Sequence, residues 1–143
     1  MRLPVTRREP DLAALALRLV IGPIMAHQGW RKADGGMSRF VDVVRGLEHV
    51  PVPEVVAYAV VVIELVGGIL ITVGLLTRLW SLLLAGQMVS IVFEVKWDLG
   101  LFGPPGRGGG YALDLVIAAG ALALVLIGPG KMSLDRVLGL ERG

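Results

Sequence analysis

The sequence predicts an all-α membrane protein: a bundle of four transmembrane helices, with a short amphipathic interfacial helix between the first and second spans. Three observations carry this reading. Four apolar runs divide the 143 residues, and each has about the length a helix needs to cross roughly 30 Å of hydrocarbon. The apolar fraction is 55% against 18% charged, and mean hydropathy is +0.73, too oily for an ordinary soluble globule. The runs are continuous rather than alternating, which argues against lipid-spanning strands. Helices also satisfy their own backbone groups, as the bilayer requires. One domain, residues 1–143, accommodates all of this.

The elements follow in chain order. Arg7-Arg8 precedes the first apolar run, as in a signal sequence. The run is too long for a signal core, no A-x-A pattern closes it cleanly, and no hydrophobic residue follows the arginine pair as a twin-arginine signal requires. A retained anchor is expected. The first span is Leu12–Trp30. In residues 31–54, Met37, Phe40, Val41, Val44 and Leu47 recur at helical spacing among Arg39, Asp42, Arg45 and Glu48. That pattern predicts an interfacial helix at about 37–48, stopped by Pro51 and Pro53. The second span is Val55–Leu76. A tight turn, Leu76-Thr77-Arg78-Leu79, predicts an antiparallel hairpin with the third span at about 79–97. Residues 98–110, DLGLFGPPGRGGG, form an irregular loop. The fourth span is Tyr111–Ile127. Gly128-Pro129 ends it, and Ser133 is the expected N-cap of a short tail helix at about 133–139.

Composition excludes several function classes. Without cysteine the chain forms no disulfide, holds no iron–sulfur cluster and runs no thiol chemistry by itself. A bis-histidine haem would need both His27 and His49, and His49 lies in a loop, so no haem is expected. A net charge of +2, without a basic tract interleaved with aromatics, gives no sign of nucleic-acid binding. Gly106–Gly110 follows no strand and carries no GK[ST], so it does not suggest a phosphate loop. The partner indicated by composition is the lipid bilayer of the cell membrane. Seven basic residues flank the terminal side of the bundle and six the other. The positive-inside rule therefore favours cytoplasmic termini by a narrow margin. Trp30, Trp97 and Tyr111 would form an aromatic belt on the outer side.

Polar residues within the spans sort by depth. Arg18 lies roughly 9 Å and Gln87 roughly 12 Å into their spans from the inner side, at ~1.5 Å per residue. Glu64 is near the middle of the second span. A structural ion pair between Arg18 and Glu64 is expected, since a midspan carboxylate cannot snorkel far. His27 lies roughly 22 Å along the first span. Glu94 and Asp114 fall at a similar level on two other helices. His27, Glu64, Glu94 and Asp114 are the candidate proton relay. The plain alternatives are an interfacial hydrogen-bonding role for His27 and water-facing helix ends for Glu94 and Asp114. For Arg31, Lys32 and the tryptophans the plain role is interface anchoring. A hard divalent ion held by His27, Glu94 and Asp114 is a minor idea, and no resident metal is expected. Gly67-Gly68 and Gly74 read as close-packing positions.

The motifs LRLVIG (17–22) and HQGWRK (27–32) resemble the first span of the DoxX family. ELVGGILITVGLLTR (64–78) resembles its second span, and GPGKMSLDRVLG (128–139) its tail. The resemblance covers about residues 12–139. It implies a small four-helix membrane protein of a family named for subunits linked to thiosulfate:quinone oxidoreductase. Some members are associated with membrane oxidoreductase complexes handling thiol and superoxide stress. Arg18, His27, Lys32 and Glu64 fall on family positions. Glu94 and Lys96 stand where the family's third span carries a polar residue, often histidine.

A quinone-interacting or redox-associated membrane subunit is therefore expected. His27, Trp30, Lys32 and Glu64 are its candidate quinone site. An apolar slot and donors at the ring carbonyls are what such a site needs. Any turnover would be quinone-linked and would depend on a partner for electrons. The protein partners left open are a redox protein and a second copy of the chain. The competing reading is a non-catalytic membrane scaffold or small-molecule carrier. There the Arg18–Glu64 pair would fix helix register, and the interfacial helix or tail would recruit a partner.

Overall fold

The computed structural model of the chain describes residues 8–106 and 109–141. Arg2, Arg7, Arg107, Gly108 and Arg142, considered above for charge, signal and loop character, lie outside the described residues, as does the side chain of Arg8. The described helices are α1 (Arg8–Asp34), α2 (Met37–Arg45), α3 (Pro53–Val73), α4 (Thr77–Ile91), α5 (Ala112–Ile127) and α6 (Leu134–Val137). Three are long and apolar enough to cross a membrane: α1, α3, and α4 with its continuation to Leu99. The apolar α5 has 16 residues, about 24 Å of helix at 1.5 Å per residue. Leu19, Ile24, Val62, Ile69, Leu82 and Val116 are exposed on the outer faces. Such an apolar exterior suits lipid rather than water.

Helix ends depart from the apolar runs for local reasons. The first helix runs about one turn past its apolar stretch at each end. Arg, Gln, Lys and Ala propagate a helix well, so hydropathy marks the membrane boundary and not the helix end. α2 ends at Arg45, three residues before the expected stop at 48; Gly46 caps it by donating its N–H to Asp42 O, and the Leu47 N–H donates to Val44 O. Pro53 opens α3 at its first turn, where no N–H is required. Gly74, at φ 77°, closes α3 at Val73 rather than 76 by donating to Leu70 O and Ile71 O. Only glycine adopts that left-handed backbone freely. Beyond Ile91 the third span relaxes into a π turn, Val92–Lys96, and a 3-10 turn, Trp97–Leu99. Ser133 caps α6 as expected, accepting from the Arg136 N–H.

The four long helices form an up-down-up-down ring in the order α1, α3, α4, α5. A Cβ built on Gly29 would lie 2.4 Å from the Leu65 N, and one on Gly68 2.4 Å from the Ala26 N. These pairs show α1 and α3 to be antiparallel and pressed backbone to backbone. Small residues allow that approach, which maximises dispersion contact where lipid supplies no hydrophobic drive. Ile21 against Gly120 joins α1 to α5, and Lys96 with Asp114 and Arg78 with Val125 O join the α4 strip to α5. Met25, Ile71, Leu84, Met88, Ile117 and Leu124 fill the centre. A second, smaller cluster of Val41, Val44 and Ala57 seats α2 on α3.

The expected Arg18–Glu64 ion pair does not form. Register explains it: Gly29 opposite Leu65 and Ala26 opposite Gly68 put Glu64 level with residue 30 of α1. That is twelve residues, about 18 Å of helix, from Arg18. Arg18 is instead 2% exposed and ends on four carbonyl oxygens. These are Ile71 and Thr72, at 3.0 Å each, and Pro129 and Met132, at 2.8 and 2.7 Å. The guanidinium thus satisfies acceptors in the last turn of α3 and in the loop after α5, groups that α-helix geometry leaves open. Asp135 in α6 sits beside it, accepting from the N–H groups of Leu76 at 2.6 Å and Thr77 at 2.9 Å. Leu76 has φ 50°, a strained conformation for leucine that the carboxylate holds in place.

Candidate functional site

At the opposite end of the ring lies a cavity of about 400 Å³. The two halves of the bundle, α1 with α3 and α4 with α5, make its walls, and α2 covers it. The covering side chains are Phe40, Val43, Val44 and Leu47. The first three come from the apolar face of α2, whose other face carries Arg39, Asp42 and Arg45, and Leu47 follows just beyond its end. Arg45 ties α2 to the start of α3 through Glu54 at 2.5 Å. Val43, Val95 and Leu113 line the cavity and are also exposed on the outside of the molecule. The cavity is therefore open at the side where these apolar side chains reach the surface.

Glu64 sits in the wall of this cavity and is 1% exposed. A buried carboxylate needs compensation. One oxygen takes the Lys32 ammonium. The other accepts from Gln87 Nε2 at 2.8 Å. The Lys32 ammonium also lies 5.6 Å from the centroid of the Phe40 ring, a cation–π distance that connects the charge to the covering helix. Gln87 Oε1 is buried without a partner. The cluster thus joins α1, α3 and α4, with α2 above.

A second ion pair lines the same cavity. Lys96 Nζ meets Asp114 Oδ2 at 2.7 Å. The π turn after Ile91 makes this contact. A π turn rotates the residues beyond it relative to a regular helix, and here Lys96 reaches the first turn of α5. Glu94, exposed, borders the cavity as well. Next to this edge, Phe93, Trp97 and Tyr111 stack in sequence at ring separations of 5.2 and 5.9 Å.

The sequence-expected residues divide into two groups. Lys32, Glu64, Glu94 and Asp114 meet at the cavity. His27 and Trp30 do not; both are exposed on other faces of α1. His27 lines a separate shallow recess with Pro23, Ile24, Gln28 and Arg31. The convergence of His27 with Glu94 and Asp114, and with it the three-residue metal idea, is corrected accordingly. Equal depth did not mean equal azimuth. Among the described residues no group of three or more His, Cys, Asp or Glu side chains is placed to hold a metal ion. Sequence reasoning missed Lys96, the covering role of Phe40 and Val44, and the place of Gln87 on Glu64. A signal for Lys96 existed: a cation and Asp114 stand at facing ends of two helices, on either side of one loop.

The arrangement offers a partly open apolar slot with ammonium donors and carboxylates at its polar margins. Ammonium groups can donate to ligand oxygens, and carboxylates can exchange protons with them.

Comparison with known proteins gives a consistent picture. The DoxX family profile matches residues 13–97. Inner membrane protein YqjF of Escherichia coli is 28% identical over 130 residues, covering 90% of this chain and 93% of that protein. Putative oxidoreductase CatD of Bacillus subtilis is 27% identical over 127 residues, covering 87% and 86%. Membrane protein Rv3486 of Mycobacterium tuberculosis is 30% identical over 139 residues, covering 88% and 81%. No solved structure matches the chain.

Proposed function

This chain belongs to the DoxX family of membrane proteins, and from that premise we propose that it is a quinone-interacting subunit of a membrane oxidoreductase system. The observation that carries the reading is the cavity: about 400 Å³, apolar walls, and a Lys32–Glu64–Gln87 cluster set into them. Its size falls within the range of small-molecule sites. Its lateral mouth suits a ligand that travels in the bilayer. The unpartnered Gln87 Oε1 marks polar capacity that the chain itself leaves unused at this cluster. The name given to CatD, an oxidoreductase in its printed description, supports the same class of chemistry.

A quinone would supply two-electron, two-proton redox chemistry, with the electrons coming from a redox partner protein. The work of this chain is binding and proton handling. Lys32 donates a hydrogen bond to a ring oxygen from one end of its ammonium while Glu64 holds the other. Glu64, buried and adjacent, exchanges a proton with that oxygen. Asp114 and Glu94, nearer the outside, pass protons between the cavity and the outer face. The apolar cover from α2 excludes water from the ring. Both termini lie on the cytoplasmic side in this reading, which the small excess of basic residues at that end supports.

The test is titration of the purified protein, in mild detergent, with a short-tailed benzoquinone or naphthoquinone. Lys32→Met and Glu64→Gln should each weaken binding at least about tenfold, since a hydrogen bond to a charged group contributes about 1.5–3 kcal/mol. His27→Ala should leave affinity unchanged. Unchanged affinity in both Lys32→Met and Glu64→Gln would overturn the site. A partner that co-purifies with protein unable to bind quinone would favour the scaffold reading.

A further inference from the structure

The cavity is bipolar. One ion pair, Lys32 with Glu64, joins α1 to α3. The other, Lys96 with Asp114, joins the π turn after α4 to α5. Both line the same space, so each half of the bundle contributes one ammonium–carboxylate pair to it, with Glu94 as a further carboxylate on the α4 side. Apolar residues of α2 and α3, including Val44, Val56 and Val60, line much of the rest, with Gln28, Gln87 and Ser90 among them. A ligand with a single polar end would leave one of these pairs facing hydrocarbon. Glu64 is also held by Gln87, but each ammonium, Lys32 and Lys96, bonds a single carboxylate among the described residues and so is short of acceptors. A ligand with oxygens on opposite edges of a flat ring would serve both.

We propose that Lys96, held by Asp114, is a second binding pole of the cavity, and that the ligand is a ring with two oxygen acceptors on opposite edges, one directed to Lys32 and the other to Lys96. The proposal rests on the quinone reading above and adds to it the donor for the second carbonyl, on the opposite edge of the ring from the one that Lys32 serves. Lys96 and Lys32 are both partly exposed at the side chain, 29% and 25%, so their ammonium groups keep donors free for a ligand while one donor holds the carboxylate. An ammonium has three donors and no acceptor. The π turn gains a reason here as well. Such turns occur frequently at functional sites, and Lys96 at the end of this one meets Asp114.

The experiment uses the full chain in detergent and a short-tailed para-quinone labelled with carbon-13 at one carbonyl or the other. Infrared difference spectra then report each carbonyl separately. In the wild type, both carbonyl bands should shift to lower frequency than in the free quinone, because each accepts a charge-assisted hydrogen bond. Lys96→Met should return one band to its free position and leave the other shifted. Lys32→Met should do the converse. Each variant should lower para-quinone affinity about tenfold, and a matched ring bearing one ketone should be sensitive to only one of them. The double variant Lys96→Met/Asp114→Asn removes both charges together, so its spectrum should match that of Lys96→Met even where the single variant folds poorly. Two shifted bands persisting in both the Lys96→Met and the double variant would overturn the second pole while leaving the Lys32 site intact. Absence of any quinone binding by the wild type would overturn the parent reading, and this proposal with it.

Discussion

The carboxylate of Asp135 accepts the backbone N–H of Thr77, 2.9 Å away, and so caps α4 from a helix 58 residues later in the chain. Its other oxygen takes Leu76 N–H. Asp135→Ala would strip two partners from a buried helix start. A capping loss of about 1–2 kcal/mol is expected, with the strained Leu76 adding to it. Asp135→Asn keeps one acceptor and should lie between. Thermal unfolding in detergent measures the order, and an alanine variant as stable as the wild type would contradict it.

Arg18 and Glu64 should be energetically independent. Their levels lie about 18 Å apart along the helix axis, and four of the five Arg18 N–H donors are taken by the carbonyls of Ile71, Thr72, Pro129 and Met132. A double-mutant cycle with Arg18→Met and Glu64→Gln should return a coupling within about 0.5 kcal/mol of zero. The parallel cycle with Lys32→Met and Glu64→Gln should give about 1–3 kcal/mol. Strong coupling in the first cycle would restore the ion pair that register rules out here.

Gly68 is the tightest test of helix packing. Any Cβ there meets the Ala26 N at 2.4 Å and the Gly22 O at 2.7 Å, both backbone atoms that cannot step aside. Gly68→Ala should force α1 and α3 apart and destabilise by about 1–3 kcal/mol, the usual range for overpacking. Gly86, with nothing near its Cβ position, is the control, and Gly86→Ala should not destabilise. Equal melting of the two variants would show that the backbones are not so close.

The covering helix should be separable from the bundle. Val44 is buried in the small cluster with Val41 and Ala57, apart from the main core. Val44→Asp should lift α2 and lower quinone affinity about tenfold or more. The four-helix unit should melt within about 1 kcal/mol of the wild type, because the main core is untouched. Joint loss of α2 and the bundle would show that the cover is part of one cooperative core.

Much of the fold was legible in the residues themselves. Four continuous apolar runs dictated four helices because lipid leaves a backbone no other partner than itself. The spacing of Met37, Phe40, Val41 and Val44 encoded an amphipathic helix for the same local reason. Ser133 marked its helix start in the chain, whereas Pro53 and Gly74, read as a stop for the preceding helix and a packing position, proved to bound α3. The glycines at 67 and 68 announced close packing. Even Lys32 and Glu64 were marked, through the likeness of HQGWRK and ELVGG to a known family.

Tertiary structure alone decided who meets whom. Depth can be estimated from a count of residues, but azimuth and register depend on how two helices settle against each other. Gly29 against Leu65 set that register. It carried Glu64 to Lys32 and left Arg18 to backbone carbonyls that no side-chain pattern reveals. Azimuth turned His27 away from the cavity, while Gln28, its neighbour, lines both the cavity and the outer recess. The π turn, invisible in hydropathy, delivered Lys96 to Asp114. Local residue chemistry determines elements because their hydrogen bonds close within a few residues. The site is assembled from contacts between helices, and its identity therefore waits on packing.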